Sequence, residues 1–141
     1  MYMGSSSQEE IERFIMGVWK TARYVPALSK MVDEILDNSI DEAIRTNFKF
    51  ANRIDVSVKN GVVVVTDNGR GIPQEEVFDE TSGEKILQPV AAWTRVNAGT
   101  SFDDSRVTIG TNGVGSAATN FLSSKFVGKT WKNKTLITVK C

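Results

Sequence analysis

The stretch from Glu34 to Pro73 constrains the fold most, because it dictates a helix, a hairpin and a tight loop in unbroken succession. Asn60-Gly61 separates an alternating run, Ile54, Val56 and Val58 against Asp55, Ser57 and Lys59, from the β-branched run Val62 to Thr66. A two-residue hairpin turn needs positive φ at both positions, and Asn-Gly between such runs is the strongest short signal for one. The second strand is expected to be buried and to end at Asp67, the first residue of the loop D-N-G-R-G-I-P. Before the hairpin, Pro26 suits a first helical turn, and Leu28, Val32, Ile35, Leu36, Ser39 and Ala43 make one stripe at helical spacing. Glu34, Asn38 and Asp41 share the opposite face.

Elsewhere the local signals are shorter. Ser7 with Glu10 forms a capping box, and Ile11, Phe14, Ile15 and Val18 follow at helical spacing, predicting a helix from about Gln8 to Lys20. A polar, glycine-containing segment runs from Pro73 to Glu84, and a helix is predicted through Ile86 to Trp93. Asn97 to Thr111 is rich in Gly, Ser, Thr and Asp, and a loop of that length in a compact domain suggests a lid. Val114 to Leu122 reads as a helix entered through glycines, and Lys125 to Trp131 and Thr135 to Lys140 as strands around a Lys-Asn-Lys turn.

At 141 residues the chain has the length of one domain or part of one. Its 17 basic residues balance 17 acidic ones, so no overall field draws it to nucleic acid or an anionic membrane. The one cysteine, Cys141, has no partner within the chain, which fits a reducing compartment such as the cytoplasm. The longest aliphatic run, Val62 to Val65, falls far short of the roughly 20 residues of a membrane span, and the first residues lack the features of a secretory signal. With no histidine, acid and base work near neutral pH falls to carboxylates.

Three segments carry chemistry. The face bearing Glu34, Asn38, Asp41 and Glu42 is in an arbitrary helix a solvated surface. It also has the parts for phosphoryl chemistry: Glu34 to orient water against a γ-phosphate, and Asn38 as a hard oxygen ligand for Mg²⁺. Asp-Asn-Gly is ordinary turn chemistry, but the full D-N-G-R-G-I-P specifies more. A strand-end carboxylate accepts from an exocyclic amino group, which adenine presents at C6 and guanine does not, and Gly69 and Gly71 allow close backbone approach. Arg70 suits either the adenine face or a surface salt bridge. In G-T-N-G-V-G-S, Gly110 to Ser116, glycines open a helix whose free N–H groups can hold phosphate oxygens. No G-K-[ST] follows, so it is not the P-loop.

Taken in order, E-x-x-x-N, D-N-G-R-G-I-P and G-x-N-G-V-G resemble the GHKL ATPases, the group of type II DNA topoisomerases, MutL, the ninety-kilodalton heat-shock chaperone and sensor histidine kinases. D-E-I-L-D-N-S-I-D-E-A, the complete D-N-G-R-G-I-P and the initial M-Y-M-G resemble the topoisomerase branch, the gyrase B family among them. V-A-A-W-T, N-A-G and G-T-N-G-V-G-S are similar to large subunits of the T-even phage type. The resemblance implies a Bergerat-type fold, a two-layer α/β sandwich with helices on one face of a mixed β-sheet. It covers residues 1–141 as a partial nucleotide-binding domain that stops before the family's last strand, its adenine-side threonine and the transducer lysine.

The implied ligands are ATP and Mg²⁺. Glu34 matches the general base, Asn38 the Mg²⁺ ligand, Asp67 the adenine-binding aspartate, and Gly71, Ile72 and Pro73 the adenine pocket wall. Gly113, Val114 and Gly115 match the phosphate-binding lid, to which Gly99, Gly110, Asn112 and Ser116 are added. Asp41 and Glu42 match pocket-support positions. Gly99 to Phe102 read G-T-S-F where cellular gyrases have G-G-K-F, so the lid lysine is not evident. The implied function is ATP-driven gate dimerisation for DNA strand passage in a type II topoisomerase, in a bacterial or phage-infected cell. DNA, a second copy and other topoisomerase subunits or domains are the expected partners of the whole protein. The alternatives are a nucleotide-binding or dimerisation module without turnover, and a MutL-type or chaperone-type ATPase.

Overall fold

The computed structural model describes residues 3–95 and 115–141. The first element is a hairpin, β1 (Glu9–Ile15) paired antiparallel with β2 (Val18–Tyr24), where the apolar spacing predicts a helix. Its turn is Met16-Gly17, both at positive φ, 51° and 83°. The pairing sets Phe14 opposite Trp19 and Glu10 opposite Arg23, with the rings 5.6 Å apart and an ion pair at 2.8 Å. Cross-strand partners supplied by the second strand therefore override the helical repeat, which exists only within the first. Gly17 between two aromatic-containing runs is the signal that favours the hairpin.

Helix α1 (Pro26–Arg45) matches its expected start and length. It ends where Thr46 Oγ1 donates to the Glu42 carbonyl at 2.8 Å and where Asn47 and Phe48 take positive φ. Next come β3 (Ile54–Lys59) and β4 (Val62–Asp67), joined as expected through Asn60-Gly61 at φ 51° and 74°. In register, Ile54 faces Asp67, Val56 faces Val65 and Val58 faces Val63. The expectation of a buried second strand fails: α1 covers only the end near Ile54 and Val65, and exposure rises toward the tip, to 70% at Val58.

The segment after Pro73 contains β5 (Glu76–Asp79), paired with β6 (Glu84–Leu87). Ile86 and Leu87 belong to that strand, so α2 (Gln88–Thr94) begins later than predicted, with Pro89 in its first turn and fully buried. Helix α3 (Gly115–Leu122) and the hairpin β7 (Val127–Lys132) and β8 (Thr135–Lys140) follow their expected bounds closely.

Helices and hairpins form the two kinds of layer expected. Among the described residues, however, every ladder is an antiparallel pair of sequence neighbours, so the mixed sheet is represented by four separate hairpins. Helix α3 packs on both α1 and α2, and α2 also meets β5, β6 and β8. The core is built from small residues, Ala43, Ala51, Ala91 and Ala117. A Cβ at Gly128 would lie 2.6 Å from ring atoms of Trp93, so only glycine lets that indole seat on β7, where it also meets Phe126. Asn120 Nδ2 donates to the Trp93 carbonyl at 2.8 Å and Thr119 Oγ1 to the Met31 carbonyl at 3.2 Å, satisfying polar groups that close helix packing buries. No helix among the described residues is long and apolar enough to cross a membrane.

Candidate nucleotide site

Asp67 ends β4 beneath α1, and both its oxygens are held. Ser39 Oγ donates to Oδ2 at 2.7 Å, and the Gly69 amide donates to Oδ1 at 2.8 Å. Ser39 is buried on the stripe of α1 that faces the hairpin, so the helix itself orients this carboxylate. From sequence Ser39 counts only as a stripe position, and this role is missed. A hydroxyl within an otherwise apolar stripe is the signal that points to it.

The D-N-G-R-G-I-P loop is clamped from two sides. On the helix side, Glu42 accepts from Arg70 Nε at 2.7 Å, Arg70 Nη2 at 3.1 Å and the Arg70 amide at 3.2 Å. Arg45 Nη2 adds a bond to the same carboxylate at 2.6 Å. On the hairpin side, the Ile72 amide donates to Thr130 Oγ1 at 2.8 Å, and Gln74 Nε2 to the Thr135 carbonyl at 3.0 Å. Gly71 has φ 74°, and a Cβ there would come within 3.0 Å of Thr130 Oγ1 and 3.2 Å of the Trp131 carbonyl carbon. Positive φ and close backbone approach together restrict this position to glycine. The sequence does not single out Thr130, because a threonine within a strand carries no local mark of a contact 58 residues away. The Arg70 guanidinium takes the salt-bridge alternative, with Glu42, and lies 5.9 Å from the Phe50 ring. Pro73 is half-buried beside Ile72.

The polar face of α1 meets the start of α3. Gly115 is buried against Glu34, and a Cβ there would fall 2.8 Å from the Glu34 carboxyl carbon. Lys30 Nζ pairs with Glu34 Oε1 at 2.9 Å, and that hydrogen bond raises the Lys30 pKa. Asn38 Nδ2 donates to the Glu34 carbonyl at 2.9 Å and to Ser116 Oγ at 2.7 Å. With both amide protons committed, the remaining polar atom of Asn38 is the hard oxygen Oδ1. Asp41 is half-buried on the same helix, and nearby burial raises the Asp37 carboxyl despite Lys30. Glu34, Asn38, Gly115 and Ser116 are thus brought together, and Asp67, Arg70, Gly71, Ile72 and Pro73 form the second group. Gly99, Gly110, Asn112, Gly113 and Val114, with the lid expected over Asn97 to Thr111, lie outside the described residues.

Two carboxylates lock the surroundings. Burial pushes the Glu42 carboxyl up, but the Arg70 and Arg45 hydrogen bonds outweigh it and bring it from 4.5 to about 2. Asp79, in the β5–β6 turn, is lowered from 3.8 to about 2 by Ser82, then by Arg95 at 2.8 Å. A carboxyl depressed on folding contributes stability in full above its unfolded value and loses it as pH falls toward its folded value. Circular dichroism during acid titration is therefore expected to show stability falling between about pH 4.5 and 2. Glu42→Gln is expected to flatten that fall and to cost about 1–2 kcal/mol at pH 7, the shift discounted for the exposed arginine partners. An unchanged acid profile would show that these ion pairs do not stabilise the fold.

Comparison with known proteins gives one consistent picture. The model of the family described as "Histidine kinase-, DNA gyrase B-, and HSP90-like ATPase" matches residues 24–140. The chain is 56% identical over 143 aligned positions to the DNA topoisomerase large subunit of Enterobacteria phage T4, covering 100% of this chain and 28% of that protein. It is 39% identical to the DNA gyrase B protein of Chlamydia pneumoniae, covering 78% of this chain and 14% of that one. The chain thus spans less than a third of the length of either relative. The crystal structure of the ATPase region of Saccharomyces cerevisiae topoisomerase II bound to ICRF-187 superposes with a TM-score of 0.72 at 24% identity. That match covers 98% of this chain and 42% of the yeast one, and it shows the shared α/β fold.

Proposed function

The chain belongs to the Histidine kinase-, DNA gyrase B-, and HSP90-like ATPase family, and from that premise we propose that it binds and hydrolyses ATP as the nucleotide-binding domain of a type II DNA topoisomerase. The observation that carries this reading is the use of one helix for both halves of the site. Helix α1 orients Asp67 through Ser39 on one face and presents Glu34 and Asn38 to the start of α3 on the other.

In the proposed mechanism Asp67 accepts the adenine amino hydrogen bond, with Gly71, Ile72 and Pro73 forming the pocket wall. The α3 amino end, led by Gly115, and the glycine-rich residues before it hold phosphate oxygens through free N–H groups. Glu34 takes the proton of the attacking water as its oxygen bonds to the γ-phosphorus and the bond to the β-phosphate bridging oxygen breaks, releasing ADP and phosphate. The donor chemistry suits Mg²⁺, which needs one or two protein oxygens beside phosphate and water, and Asn38 Oδ1 supplies one. Bound there, Mg²⁺ would neutralise charge on the phosphates. Among the described residues no cluster of three acidic, histidine or cysteine ligands competes as a protein-only metal site. Arg70 serves in this scheme as the brace of the adenine loop, through Glu42.

For the whole protein, the T4 large subunit and gyrase B relatives support ATP-gated dimerisation of two such domains, passage of DNA, and work beside other topoisomerase subunits or domains. The phage relative supports the cytoplasm of an infected bacterium as its setting. Calorimetric titration with a non-hydrolysable ATP analogue and Mg²⁺ tests the reading. Saturable binding of the adenine analogue, at least about tenfold tighter than the guanine one, is expected. Absence of binding by the folded chain, or equal affinity for both bases, would overturn it.

A further inference from the structure

We propose that Ser116 is a positioning residue for the metal-binding amide of Asn38, so that Mg²⁺ affinity depends on the docking of α3. The inference rests on the assignment of Asn38 as Mg²⁺ ligand made above. Residues 34 and 38 are one turn apart on α1, and Asn38 Nδ2 reaches back to the Glu34 carbonyl at 2.9 Å. That carbonyl can only accept, so the atom facing it is the amide nitrogen, and the orientation of the amide follows. The contact alone leaves one N–H unpartnered. Ser116 Oγ, on an element 78 residues away, accepts it at 2.7 Å and completes the fixation. Of the two amide polar atoms, only Oδ1 is left to serve as a ligand.

Ser116 is the second residue of α3, directly after Gly115, whose backbone rests on the Glu34 carboxyl. The same helical turn that seats against the base therefore also aligns the metal ligand. Any displacement of the α3 start would release the Asn38 amide to rotate and exchange oxygen for nitrogen, removing the ligand. Groups that orient a metal ligand typically contribute about 10–100-fold in metal affinity. Ser116, having accepted from Asn38, also keeps its own hydroxyl proton for donation elsewhere.

The test measures binding of the ATP analogue across a Mg²⁺ series and without Mg²⁺. Ser116→Ala is expected to raise the Mg²⁺ concentration for half-maximal effect about tenfold, with Mg²⁺-free affinity changed less than about twofold. Ser116→Thr is expected to restore the parent value and Ser116→Val, the isostere of that threonine without the hydroxyl, to match alanine. The Thr and Val pair keeps the comparison valid if alanine lowers the melting temperature. In an Asn38→Ala background, Ser116→Ala is expected to add nothing. Equal losses with and without Mg²⁺, or an unchanged Mg²⁺ series, would overturn the proposal. A Mg²⁺ series unmoved by Asn38→Ala would instead remove the metal assignment itself.

Discussion

Glu34→Gln is expected to leave binding of ATP within a few-fold of the parent while lowering turnover by about 10²–10⁴-fold. Glutamine keeps the length and planarity of the side chain, and its carbonyl can still accept from Lys30, which pairs with Glu34 at 2.9 Å. What it loses is the capacity to take a proton from the attacking water. The close fit at Gly115 makes the substitution clean, because an isosteric group fits against a helix start that tolerates no added Cβ. Single-turnover hydrolysis and equilibrium binding, measured on the same preparation, separate the two effects. Unchanged turnover would show that Glu34 is not the base. Undetectable turnover already in the parent, with binding intact, would favour the nucleotide-binding module.

Asp67→Ala is expected to weaken binding of the ATP analogue by about 10²–10³-fold and to abolish discrimination against guanine. Two losses combine. The acceptor for the adenine amino group disappears, and the Ser39 hydroxyl and the Gly69 amide lose the partners they hold at 2.7 and 2.8 Å. Ser39→Ala removes only the first of those supports, so a loss of about tenfold with selectivity retained is expected. Circular dichroism of each variant establishes that the fold persists. Selective adenine binding surviving in Asp67→Ala would place base recognition elsewhere.

Local chemistry marks much of this site. Asn60-Gly61 specifies the β3–β4 hairpin because few residue pairs tolerate positive φ twice in succession, and that hairpin delivers Asp67 to its place. Pro26 and the spacing of the α1 stripe specify the helix, and with it the common face of Glu34 and Asn38. The hairpin β7–β8 is legible for the same reason, its two runs meeting at Asn133 and Lys134, both at positive φ.

What stayed hidden needed partners distant in the chain. Residues Glu9 to Tyr24 carry a helical repeat, yet fold as β1 and β2 because Phe14 meets Trp19 and Glu10 meets Arg23 only when the strands pair. Val62 to Thr66 reads as a buried strand by composition, but the extent of cover by α1 decides that most of it is exposed. Sequence alone thus determined which residue types stand at each turn, cap and helix face, since these depend on φ preference and on spacing within a few residues. Tertiary structure alone decided that Ser39 holds Asp67, Thr130 holds Ile72, and Ser116 holds Asn38. Those bonds join hydroxyl and partner across 28, 58 and 78 residues, and the short distance that a hydrogen bond requires is set by packing of whole elements.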